Sequence, residues 1–231
     1  MALPILQVTK YNTVIPSTGK RVQYRSFLIK EEKILLMAQE SGESEQVIQA
    51  LKDVVNACTF EKIDVDALTS YDLEHLFIQL RMKSVGETID LQAKCPECKS
   101  VNPMVVDLNE VTIKGDANTN PKIQLTDDVG IIARPIPVAD MDEVSDKTED
   151  FTKMIALCIE SVYDTENVYK RKDTSKAELL EFVSSLNHDQ LMKIEAYISA
   201  QPKLTYTNEL KCHKCGAVIK VELNGLQDFF Q

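Results

Sequence analysis

Two short stretches carry the residues best suited to chemistry. One reads Lys94-Cys95-Pro96-Glu97-Cys98-Lys99, the other Lys211-Cys212-His213-Lys214-Cys215-Gly216. Each is a Cys-x-x-Cys pair, and two residues between thiols let both sulfurs turn toward one point. Two such pairs complete a tetrahedron of thiolates, at roughly 2.3 Å per Zn–S bond, so the pattern points to one structural zinc held by Cys95, Cys98, Cys212 and Cys215. Flanking lysines offset part of the thiolate charge, and Gly216 stands where such a knuckle often needs positive φ. A thiol-redox pair and an iron–sulfur cluster are the weaker readings. Redox Cys-x-x-Cys motifs usually sit at a helix N-terminus, which lowers the thiol pKa, and the contexts here are strands. His213 lies between two thiols and is expected to point outward. Cys58 and Cys158 lie on apolar helical faces and read as core thiols.

The elements around these pairs follow from periodicity. Residues 87–94 and 103–111 read as strands around the first knuckle, and 204–211 with 217–223 as strands around the second. The 113 residues between the pairs exceed a compact finger, so the site would clip a middle hairpin to a terminal one. Upstream, Pro4 and Pro16 bracket an extended stretch, Ser17-Thr18-Gly19-Lys20 is a turn, and Arg21 to Leu28 alternates polar and apolar, so residues 6–28 read as a hairpin. Helical spacing begins at Ile34, Leu35 and Ala38, a face that reads as core. It resumes past Ser41-Gly42 with Val47, Ile48, Leu51, Val54, Val55 and Cys58. A third helix spans about 70–84, with Leu73, Leu76, Phe77 and Leu80 on one face and Gly86 beyond its end.

Residues 121–126 and 129–136 read as a second hairpin turning at Asp127-Asp128. The acidic stretch 139–150 reads as a solvated helical entry or linker. Met154, Ile155, Cys158, Ile159 and Val162 then fit one helix, and Lys170 to Asp173 a loop. Ser175-x-x-Glu178 and Asn187-x-x-Gln190 are capping-box patterns that open two further helices, through Leu186 and to about Ala200, and Pro202 stops the second. Gly225 to Gln231 is a short apolar tail, with Phe229-Phe230 expected in the core. The fold class expected is α+β: about six helices beside small antiparallel hairpins, two of them joined as a zinc-ribbon-like site. All 231 residues are expected in one domain: 1–86 as N-terminal hairpin and helices, 87–111 and 203–224 as knuckle hairpins, 112–202 as a hairpin plus helical insert.

Composition narrows the function. Apolar residues at 44% and charged residues at 27% suit a globular chain. A net charge of −10 disfavours wholesale phosphate neutralisation, so nucleic acid is a poor partner on charge grounds. Lys94, Lys99, Lys211, Lys214 and Lys220 nevertheless gather at the knuckles, and a zinc-ribbon nucleic-acid-binding regulator is the alternative they suggest. No run approaches a membrane span and no secretory leader is visible, so a reducing cytoplasm is expected. No nucleophile elbow, zinc-protease helix or dinucleotide fingerprint occurs, His75 and His188 lack partner motifs, and four thiolates leave zinc no open position. No enzyme activity and no small-molecule substrate are expected.

The N-terminal block is distinctive. Leu3-Pro4-x-Leu6 leads to Ile15-Pro16-Ser17-Thr18-Gly19-Lys20 and then to the run from Tyr24 to Ser41, with Cys58-Thr59-Phe60, Asp72-Leu73-Glu74-x-Leu76-Phe77 and Arg81-x-Lys83-Ser84-Val85-Gly86 beyond. This resembles the baseplate hub subunit and hub assembly proteins of T4-like tailed bacteriophages. The resemblance is dense over residues 1–100 and rests on length and layout thereafter. It implies a structural or assembly role in the central hub of a contractile-tail baseplate. Its partners would be other hub and tail proteins, met in the host cytoplasm during assembly or retained in the virion.

Overall fold

The computed structural model describes residues 6–117, 119–143 and 150–229. The chain forms two compact units, one of Met1–Lys114 with Lys203–Gln231 and one of Gly115–Pro202. The architecture is α+β, with six α-helices and small antiparallel sheets among the described residues.

The first unit opens with β1 (Lys10–Val14) and β2 (Arg21–Arg25), an antiparallel pair that places Tyr11 opposite Tyr24. Three helices follow: α1 (Ile29–Ser41), α2 (Ser44–Cys58) and α3 (Ser70–Ser84). Gly42 ends α1 in the left-handed region, at φ 68°, which lets α2 turn back upon it. Arg25 locks the start of α1. Its Nη2 lies 3.0 Å from Glu31 Oε1, and Glu31 Oε2 accepts the Leu28 N–H at 2.7 Å. Burial alone would raise the Glu31 pKa, but these partners hold it below the ordinary carboxylate value. Thr69 and Asp72 cap α3 reciprocally, and Asp72 Oδ1 also accepts the Ser17 N–H, fixing the β1–β2 turn to the helix. Val54, Val55, Cys58, Leu73, Leu76 and Leu80 are buried, so α2 and α3 supply much of this unit's core. The apolar run of α1 behaves differently from expectation. Ala38 is buried, but Ile34 is 42% exposed, and Leu36 and Met37 are more so. That run has more apolar residues than one helix face can turn inward.

Two long hairpins complete the unit. β3 (Thr88–Lys94) pairs with β4 (Val101–Asp107). A short β5 (Thr112–Lys114) leads into the second unit.

In the second unit β6 (Lys122–Gln124), β7 (Gly130–Ala133), β8 (Ile159–Tyr163) and β9 (Val168–Lys170) form a four-stranded antiparallel sheet in that order. Three helices accompany it: α4 (Asp150–Leu157), α5 (Lys176–Ser184) and α6 (His188–Ala200). Ile131, Ile155, Ile159, Leu179 and Ile194 centre one contiguous apolar core. Both capping boxes form, from Ser175 with Glu178 and from Asn187 with Gln190. One expectation needs correction: Ile159 and Val162 lie on β8, not on a continuous helix. Ile159-Glu160-Ser161-Val162 also alternates, and antiparallel pairing with β7 decides between the two periods. Lys170 likewise ends β9, and Arg171–Asp173 is a 3-10 turn. Within the acidic stretch, 138–143 is 3-10, while 144–149 lies outside the described residues. The entry and exit of this unit meet where the Asp116 N–H donates to Ala200 O at 3.0 Å.

The chain then returns to the first unit. β10 (Lys203–Lys211) pairs with β11 (Val218–Asn224) and, on its other edge, with β5. β5 was not foreseen, because residues 112–202 were expected as one insert. Beyond β11, Leu226–Phe229 is a 3-10 turn whose Leu226 is buried, and the Phe229 and Phe230 side chains lie outside the described residues.

Candidate metal centre

Each knuckle is built by its own hairpin. In the first, the Cys95 N–H donates to Ser100 O at 2.9 Å and the Lys99 N–H to Cys95 O at 3.0 Å. The second repeats this: Cys212 N–H to Ala217 O at 2.8 Å, Gly216 N–H to Cys212 O at 3.0 Å. Both turns need positive φ four residues after their first cysteine. Gly216 supplies it at 75° without steric cost, and Lys99 adopts it at 60°. Lys99 Nζ donates to Pro96 O across its own turn, at 2.7 Å.

The hairpins bring the four sulfurs together, all within 4.8 Å of one another. Cys98 Sγ is 3.6 Å from Cys212 Sγ, and Cys95 Sγ is 3.7 Å from Cys215 Sγ. A tetrahedron with Zn–S bonds of about 2.3 Å has S···S edges of about 3.8 Å, which these two separations match, so the cluster could hold a cation on four thiolates. Cys95 and Cys212 are buried, Cys98 half-buried and Cys215 exposed. With only protons to share, the thiols diverge. The Ser100 hydroxyl, followed by the Cys215 N–H, draws Cys212 down to about 5. The Ala217 N–H would lower Cys215, yet its neighbouring thiols and desolvation push it up to about 12. A bound dication removes that competition by letting all four ionise.

Sequence reasoning missed the residues that join the two knuckles. Ser100 Oγ lies 3.0 Å from Cys98 Sγ and 3.1 Å from Cys212 Sγ, bridging one cysteine of each pair. Asn102, on β4 and 2% exposed, accepts the His213 N–H at 2.9 Å, and its Oδ1 lies 2.7 Å from His213 Nδ1. Its amide donates to Ser100 O at 3.0 Å. His213 is thus exposed and occupied by Asn102, away from the sulfurs, as its position between two thiols suggested. Neither Ser100 nor Asn102 has a spacing signature, since each meets partners more than a hundred positions away.

The remaining titratable residues singled out by sequence stand apart from this centre. Cys58 and Cys158 are buried, and burial pushes both thiols up to about 11. His75 Nε2 lies 3.2 Å from Thr13 Oγ1, and burial lowers its pKa. No helix among the described residues is long and apolar enough to cross a membrane.

No curated protein and no solved structure matches the chain. A family profile described as T4 bacteriophage base plate protein matches residues 8–231. With nearly its whole length covered, this chain belongs to the T4 bacteriophage base plate protein family.

Proposed function

We propose that this chain is a non-catalytic structural or assembly component of the central hub of a contractile-tail baseplate, carrying one structural zinc on Cys95, Cys98, Cys212 and Cys215. The match over residues 8–231 carries the reading, because a baseplate protein works by binding other tail proteins. The four clustered thiols support the metal: they would fill every position of a tetrahedral zinc, and such a closed site ties segments together. Its role here is to hold the β3–β4 and β10–β11 hairpins tip to tip, and its binding free energy then adds to folding free energy. Assembly would take place in the host cytoplasm, with the virion baseplate as destination.

Two measurements test the two halves. Protein purified without chelator is assayed by elemental mass spectrometry, alone and as Cys95→Ser and Cys212→Ser. One zinc per chain, lost in both variants together with thermal stability, is expected; a metal-free native protein with freely reactive thiols overturns the zinc assignment. Co-expression with the other hub and tail proteins of the same phage is expected to give a stable complex by gel filtration. Migration of this chain alone in that mixture overturns the hub assignment.

A further inference from the structure

The two knuckles are joined by more than their thiols. Asn102 of β4 is 2% exposed and uses both ends of its amide. Its Nδ2 donates to Ser100 O at 3.0 Å and to Ala93 O at 3.4 Å, so the side chain is held by its own hairpin. Ser100 O also accepts the Cys95 N–H, the bond that closes the first knuckle. Asn102 Oδ1 is thereby aimed at the second hairpin, where it accepts the His213 N–H at 2.9 Å and lies 2.7 Å from His213 Nδ1. Carbonyls on one side and a backbone N–H on the other fix which end of the amide is which.

One side chain thus ties the turn that presents Cys95 and Cys98 to the residue that follows Cys212. Among the described residues, the other hydrogen bonds between the β3–β4 and β10–β11 hairpins all end on a sulfur. The Asn102 contacts involve none, so they hold the hairpins together whatever the thiols carry. They also fix the imidazole. Since Oδ1 can only accept, the His213 ring must carry a proton on Nδ1.

We propose that Asn102 is a positioning residue for the metal centre: its amide latches one knuckle to the other, so that the two cysteine pairs stand opposed before a cation binds. A site whose halves are already opposed loses less freedom on binding, and its affinity is higher for it. Hydrogen-bonded groups behind the ligands commonly contribute about tenfold or more to metal affinity. The latch stands on its own contacts; its effect on the metal rests on the four-thiolate reading above.

The test uses the full chain, stripped of metal by a chelator under reductant, with zinc as the probe. In the stripped protein the His213 amide is expected to exchange about tenfold more slowly than in Asn102→Ala. A long-range nitrogen–proton correlation spectrum is expected to place the proton of the neutral His213 ring on Nδ1, and to lose that preference in Asn102→Ala. Competition against a chromophoric chelator is expected to show zinc affinity about tenfold lower in Asn102→Ala. That variant removes a buried amide, so His213→Ala, at an exposed position, is the second. It loses the ring contact, keeps the backbone one, and is expected to lower zinc affinity about threefold. Added to Asn102→Ala, it is expected to change nothing further.

A His213 amide that exchanges as fast in the stripped native chain as in Asn102→Ala overturns the latch, and so does a ring proton on Nε2. Zinc affinity unchanged in both variants, or losses that simply add, overturns the positioning role. A native chain that binds no zinc sinks the four-thiolate reading and the positioning role with it, while the exchange and ring signals still decide the latch.

Discussion

The two units reach stability by different routes. In Gly115–Pro202, four strands and three helices enclose one apolar core in which Ile131, Ile159 and Ile194 are fully buried. The knuckle hairpins of the other unit bury one face, with Val106, Leu204 and Ile219 inside, and leave the other open. β3–β4 is only two-stranded, and Val101 and Val105 on β4 and Val218 on β11 are about half exposed. A two-stranded hairpin is marginal alone in water. The four cysteines stand at the tips of these hairpins, where a bound metal would hold the two tips in register.

The contrast is open to test, and the largest effect is expected at the cysteines. Cys95→Ser with Cys212→Ser should cost the first unit several kcal/mol, read as faster amide exchange in β3, β4, β10 and β11. Exchange in β6 to β9 should stay as it was; equal loss in both units would break the distinction. Next comes the apolar core itself. Ile155→Ala, at a site 1% exposed, should destabilise the second unit by about 3 kcal/mol in thermal unfolding while zinc content stays unchanged.

A smaller effect concerns Glu74 on α3. It accepts the Leu226 N–H at 3.3 Å, and burial raises its pKa to about 7. A raised carboxyl pKa means that the folded state holds the proton more tightly than the unfolded one. The stabilisation is therefore full below the ordinary glutamate value and lost as pH rises toward 7. Glu74→Gln should flatten that slope and leave the variant about 1 kcal/mol more stable at pH 8, allowing for partial exposure. An unchanged slope of stability against pH between 4.5 and 7 would remove Glu74 from the account.

The smallest effect separates the two knuckles. Lys99→Gly should stabilise by about 0.5 kcal/mol, because a lysine there pays for a conformation that Gly216 adopts freely. Gly216→Ala, with open space around the added methyl, should cost about 1 kcal/mol from φ alone. Opposite signs in urea unfolding would sharpen the parallel between the turns, and equal signs would end it.

Legibility in the sequence tracked the range of the forces involved. α3 and three of the four knuckle strands fell within a residue of expectation, because alternation, helical spacing and Cys-x-x-Cys tips are all local; the fourth, expected at 103–111, runs Val101–Asp107 and gives way to a 3-10 turn at Leu108–Glu110. The two capping boxes were readable for the same reason. β5 was invisible, since three residues become a strand only when β10 arrives to pair with them. The 158–163 segment satisfied two periods at once, and its neighbour β7 made the choice. At the metal centre the four cysteines announced themselves by spacing. Ser100, Asn102 and the left-handed Lys99 did not, because an ordinary serine, asparagine or lysine carries no mark of a distant partner or of a strained turn.

The separation of the two cysteine pairs along the chain has a consequence for synthesis. At about 5–20 residues per second, a ribosome needs on the order of ten seconds to travel from Cys98 to Cys212. Throughout that interval the nascent chain presents a half-built site, two thiols able to take a metal or an oxidant without the pair that completes it. Closure must then bridge the whole second unit, so prior folding of Gly115–Pro202, whose ends meet at Asp116 and Ala200, shortens the effective loop and speeds the last step. The insert thereby becomes a timing element for the centre it interrupts.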